Sequence, residues 1–199
     1  MSFLRGVRGL LRSPPSTVRA RLSAQPAVML RPVRAFHVSI RTASQVIADQ
    51  DPETGLYYHE IDNGTYAVSF LKRPPKNPTS IAVIAHVTSA NNSPDEQLRH
   101  SPDKVWINPA FFDALHHVLK ANVADDETLM VEANLRKNGF AHLCATDSIF
   151  ASVGFTDAKI APESYERNNM YRFSVRTQGP MRIPERWLRL MRDYIQKNE

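Results

Sequence analysis

Across its first 43 residues this chain of 199 has no aspartate, no glutamate and no lysine, and it has one cysteine and few glycines overall. Each shortage excludes something. A single cysteine, Cys144, rules out an internal disulfide and any zinc site built on several thiolates. Only five glycines follow residue 43 (Gly55, Gly64, Gly139, Gly154 and Gly179), and no two are close together, so neither a phosphate-cradling P-loop nor a dinucleotide fingerprint can be written from them. No nucleotide cofactor, and no cofactor of any other kind, is expected. The longest apolar run, "SIAVIAHV" at 80–87, falls far short of the roughly 20 residues a membrane-spanning helix needs.

The acid-free segment is instead rich in arginine: Arg5, Arg8, Arg12, Arg19, Arg21, Arg31, Arg34 and Arg41 stand among serine, alanine, leucine and proline. That is the composition of a mitochondrial transit peptide, which takes no part in the fold. Its positive charge is drawn inward by an inside-negative membrane potential. Arg34-Ala35-Phe36 resembles the site at which the mitochondrial processing peptidase cuts two residues after an arginine. Phe36 to Ala43, with Ser39 in fourth place, then resembles the octapeptide that the intermediate peptidase of the matrix removes, an arrangement similar to that of many fungal matrix precursors. The expected mature chain starts at Ser44 and works in the matrix, with peripheral contact to the inner membrane as an alternative.

Losing the leader reverses the charge. Taking its eight arginines from the 25 basic residues leaves 17 against 20 acidic ones, a net charge near −3. The basic isoelectric point therefore does not imply a general polyanion-binding surface; nucleic acid is expected at most through a local RNA contact.

The clearest local signal after the leader is "GLYYHEIDNGTYAVSFLK", in which two runs rich in tyrosine and valine flank Asn63-Gly64. Asn-Gly favours positive φ in a tight turn, so a β-hairpin over 56–71 is predicted. Three prolines in "RPPKNPTS" then break the chain. "SIAVIAHVT" reads as a buried strand, and residues 89–107 as a long irregular loop. Asn108-Pro109 is a helix start, and Phe111, Phe112, Leu115, Val118 and Leu119 give it one apolar face, so a helix is predicted at 109–122. Further helices are predicted near 126–138, between Asp126 and Gly139, and at 184–197, which opens on Pro184 and carries a stripe of Trp187, Leu188, Met191, Tyr194 and Ile195. "FAHLCATDSIF" and "MYRFSVRT" alternate as strands do. The order of elements predicts one α+β domain over 44–199, with a largely antiparallel sheet packed by these helices; a doubly wound parallel sheet is the alternative.

Two sets of residues could carry chemistry. His142 and Cys144 lie two apart, hence on one face of a strand, and a thiolate with a nearby base is a nucleophile. His86 sits in an otherwise apolar strand, where it could line a pocket. The adjacent His116 and His117 diverge by about 100° on a helix and cannot chelate together, and no metal site is expected. In the last helix and just before it, Arg182, Arg186, Arg189 and Arg192 recur every three or four residues, a spacing that predicts a basic face for anionic headgroups, RNA phosphate or an acidic protein. Two functional readings follow. One is a non-catalytic matrix accessory factor, serving assembly or gene expression, that meets a protein partner or the inner-membrane surface through these arginines or the 89–107 loop. The other is a small matrix hydrolase or transferase with a pocket near His86, His142 and Cys144.

Overall fold

Asn63-Gly64 does close a hairpin. In the computed structural model, which describes residues 46–89, 93–145 and 148–199, strands β2 (Tyr57–Asp62) and β3 (Thr65–Ser69) pair antiparallel across this turn. Gly64 has φ +70, and a Cβ there would lie 2.7 Å from the Ser89 carbonyl oxygen, so glycine is required on two counts. The expected leader and its cleavage sites lie outside the described residues.

The hairpin forms the centre of a five-stranded antiparallel meander in the order β1-β2-β3-β4-β5, completed by β1 (Val46–Ala48), β4 (Ala85–Thr88) and β5 (Trp106–Ile107). The strand expected across 80–88 is confined to β4. Residues 80–83 turn instead, with the Val83 N–H donating to Ser80 O.

The proline-rich stretch is not a free connection. His59 and His86 stand on the same face of the meander, both opposite Ala67 in register. Each uses Nε2 to hold a carbonyl of the returning chain, Leu71 O and Pro78 O respectively, both at 2.8 Å. Asn108 donates to Ser80 O and Val83 O. The Glu199 carboxylate accepts from Lys76 N–H and the Ser80 hydroxyl and pairs with Arg73 at 2.9 Å. Proline removes donors and so cannot extend a sheet; the carbonyls of Leu71, Pro78 and Ser80 are met here by side chains, and the segment becomes a strap over the meander.

The expected loop at 89–107 is corrected in part. It contains helix α1 (Pro94–His100) as well as β5. The helix has Pro94 in its first turn, Asp95 and Glu96 at the positive end of the dipole, and Arg99 and His100 at the other. With Leu98 as its only buried apolar side chain of ordinary size, it shows too little periodicity to be read as a helix. What anchors it is a charge. Asp49 accepts two hydrogen bonds from the Arg99 guanidinium, at 2.6 and 3.1 Å, and one from the Tyr58 hydroxyl. Burial opposes ionisation of Asp49, but the hydrogen bonds from Arg99 and Tyr58 outweigh it and hold the carboxyl below its ordinary range.

Helices α2 (Pro109–Asn122), α3 (Glu127–Arg136) and α4 (Glu185–Asn198) fall where predicted. Asn108 caps α2 by accepting from Ala110 N–H, and Pro184 precedes α4. His116 is half-buried and His117 exposed, as the apolar stripe requires.

A second antiparallel sheet follows α3, in the order β6 (Gly139–Ala145), β7 (Ser148–Thr156) and β8 (Lys159–Arg167). The single strand expected over 140–150 is thus two. The turn between β7 and β8 uses Asp157 and Ala158, both at positive φ (52° and 64°), rather than Asn-Gly, and so gives little sequence signal. The end of α3 holds it: Ala158 N–H donates to Lys137 O and Asp157 N–H to Asn138 Oδ1. The strand expected at 170–177 shrinks to β9 (Ser174–Val175), paired only with β10 (Gly179–Pro180).

The architecture is α+β with antiparallel sheets, and the helices and both larger sheets share one core. Phe111, Leu115 and Leu119 of α2 meet Trp187, Met191 and Ile195 of α4, together with Tyr58, Val68 and Phe150 from the strands. Each fully buried large apolar side chain contributes roughly 2 kcal/mol.

Candidate functional site

Four of the seven residues singled out in the sequence come together. His142 and Cys144 of β6, with Arg186 and Arg189 of α4, line one open cleft of about 530 Å³ whose far wall is the start of α3. His86 does not join them. It lies on the meander, bonded to Pro78 O and stacked on Trp106 at 4.7 Å.

The four arginines do not make one face. Arg182 pairs with Asp51 at 2.5 Å and with Glu53 at 3.4 Å. Arg192 donates to the Phe70 and Gly55 carbonyls, tying α4 to the meander. Arg186 binds Asp126 Oδ2 at 2.9 Å and lies over the Trp187 ring at 5.0 Å. Arg189 alone of the four is exposed and has neither a hydrogen bond nor an ion pair among the described residues.

Asp126 organises the cleft, a role sequence reasoning did not reach. Its Oδ1 accepts from Leu129 N–H and caps α3, while Oδ2 holds Arg186. The capping position was legible in Asp125-Asp126-Glu127; the partner sixty residues away was not.

Cys144 is exposed, yet burial of the thiol and then the nearby Glu132 carboxylate push it above its ordinary range. Its only hydrogen bond among the described residues is a loose one of 3.9 Å to the His142 carbonyl, not to the imidazole. A thiol kept protonated, with no base bonded to it among the described residues, is the reverse of an activated nucleophile.

The cleft has another property. His142, Leu143 and Cys144 all line it. Successive strand side chains point to opposite faces, so three consecutive residues share a cleft only where it runs along the strand's edge. β6 is an edge strand, with β7 as its one neighbouring strand among the described residues. The guanidinium of Arg136 donates to Phe140 O on the free side, and Phe140 itself is 57% exposed. On α3, which packs against β6, Val131 and Leu135 are exposed as well.

Among the described residues no group of three or more histidine, cysteine or acidic side chains could hold a metal ion, and no helix is long and apolar enough to cross a membrane. No family model, curated protein or solved structure matches the chain.

Proposed function

We propose that this chain is a non-catalytic accessory protein of the mitochondrial matrix that docks an extended segment of a partner protein along β6, in the cleft between β6, α3 and α4. The observation that carries this reading is the open edge of β6 lining a concavity. Unpaired main-chain donors and acceptors on an edge strand are a template for a further strand, and neighbouring side chains supply selectivity. Arg189, unspent within the chain, suits a carboxylate on that segment, and Phe140, Val131 and Leu135 offer apolar area beside it. The matrix location rests on the arginine-rich, acid-free leader.

Less supports a membrane or RNA surface, because Arg182 and Arg192 are engaged within the fold. Less also supports the enzyme reading: His142 and Cys144 share the cleft, but His86 lies apart from them and the Cys144 thiol is pushed towards its protonated form.

Site-specific photo-crosslinking in intact mitochondria tests the proposal. A photoreactive residue replacing His142 should give a discrete protein adduct that Arg189→Glu abolishes, while one replacing Asp62 at the β2–β3 turn should give none. Equal adducts from both positions, or none from either, would reject it. Recovery of the protein outside the matrix would reject the assigned location.

A further inference from the structure

A second concavity, built from segments that play no part in the cleft, has the lining of a small-molecule site. It encloses about 400 Å³, and its apolar wall is made by Val105 and Ile107 from the chain entering α2, Phe112 of α2, and Tyr171 and Phe173 beyond β8. Such a space holds about a dozen heavy atoms if each takes roughly the 30 Å³ that a water does. It lies within the usual range of ligand pockets. Asp103 and Arg172, both lining it, face one another at 3.6 Å; both are exposed, so the pair is a weak latch.

A hollow of about 150 Å³ adjoins it. Phe112 and Tyr171, whose rings sit 6.3 Å apart, are common to both walls, and the hollow adds His116, Arg167 and Asn169. The hydrogen-bonding capacity left unspent there is mostly of one kind. Among the described residues Arg167 uses only Nη1, on Asp113 at 3.0 Å, and its other guanidinium donors have no partner there. The Tyr171 hydroxyl has no partner among the described residues, and burial keeps the phenol protonated. Burial and the Arg167 charge keep His116 neutral, with Nδ1 2.8 Å from the Tyr165 hydroxyl. Burial keeps the Tyr165 phenol protonated too, so it can donate to Nδ1 and leave Nε2–H as a donor. Donors beside an apolar chamber call for a ligand with an apolar body and an acceptor-rich, anionic end.

We propose that this groove binds a monocarboxylic acid of medium chain length, its hydrocarbon between Ile107, Phe112, Tyr171 and Phe173 and its carboxylate at Arg167 and Tyr171. The site is independent of the β6 cleft, and either can fail without the other.

The probe is decanoate, titrated below its critical micelle concentration into the ¹⁵N-labelled protein, with decanol and acetate in parallel. Decanoate is expected to shift the resonances of Ile107, Phe112 and Tyr171, whereas acetate should not. Arg167→Gln should weaken decanoate about tenfold, the value of one charge-assisted hydrogen bond, and leave decanol unaffected. Ile107→Asp, at a position 37% exposed and so tolerant of substitution, should abolish both. The proposal is overturned if decanoate leaves these resonances unmoved, if its shifts map elsewhere, or if decanol binds as tightly as decanoate to the wild-type protein.

Discussion

Arg186 Nη1 lies 2.9 Å from Asp126 Oδ2, so that one carboxylate caps α3 and anchors the first turn of α4. The two contributions separate by substitution. Asp126→Ala loses both, at a cost of about 2 kcal/mol, whereas Asp126→Ser keeps a capping oxygen and should recover about half. Urea midpoints with unchanged m-values check this; equal losses for the two variants would mean that the cap contributes nothing.

The Asp49–Arg99 pair is the most deeply placed ion pair described, with the carboxylate side chain only 1% exposed. Arg99→Met leaves that carboxylate without its counter-charge and should cost about 3 kcal/mol. Because the folded pKa of Asp49 lies below its ordinary 3.8, its contribution is complete above that value and is lost as the pH falls through the folded pKa. Asp49→Asn should therefore be less stable than wild type at neutral pH, with the gap closing under acid. A gap independent of pH would contradict the assigned ionisation.

His59 is 1% exposed, and its Nδ1 has no hydrogen-bond partner among the described residues. Burial lowers its pKa below 6.5, and the Leu71 carbonyl only partly offsets this. The unfolded chain therefore binds the proton first as the pH drops, and stability that is complete above about 6.5 declines from there down to the folded pKa. His59→Gln should flatten stability between pH 7 and 5, measured by denaturant titration at each pH. An unaltered slope would assign that dependence to other groups.

Ala158 occupies the left-handed region at φ 64°, where a β-carbon costs about 1 kcal/mol. Ala158→Gly should stabilise the β7–β8 hairpin by up to that amount and raise the melting temperature by a few degrees. A lower melting temperature would show that the Ala158 methyl group packs usefully.

Legibility in the sequence followed the locality of the signal. Asn63-Gly64, Asn108-Pro109 and Pro184 announce their elements through their own chemistry, and each element stands where predicted. Asp157-Ala158 adopts a glycine-like turn because Lys137 O and Asn138 Oδ1 hold its backbone from another element, and no inspection of 148–167 reveals that. The site behaves likewise. Periodicity marked Arg182, Arg186, Arg189 and Arg192 as equivalent, whereas their partners, Asp51, Asp126, none and Phe70 O, are set by the tertiary fold. That His142 and Cys144 share a face was readable; that β6 is an edge strand was not.

The docking role of β6 is tested most directly by residue-resolved amide hydrogen exchange, with and without the partner segment identified by crosslinking at position 142. Added strand pairing should slow exchange at His142 and Cys144 by at least about tenfold, roughly 1.4 kcal/mol of added protection, while the tip of the β2–β3 hairpin stays unchanged. Unaltered exchange along β6 with the partner bound would contradict the proposal that this edge is where the protein works.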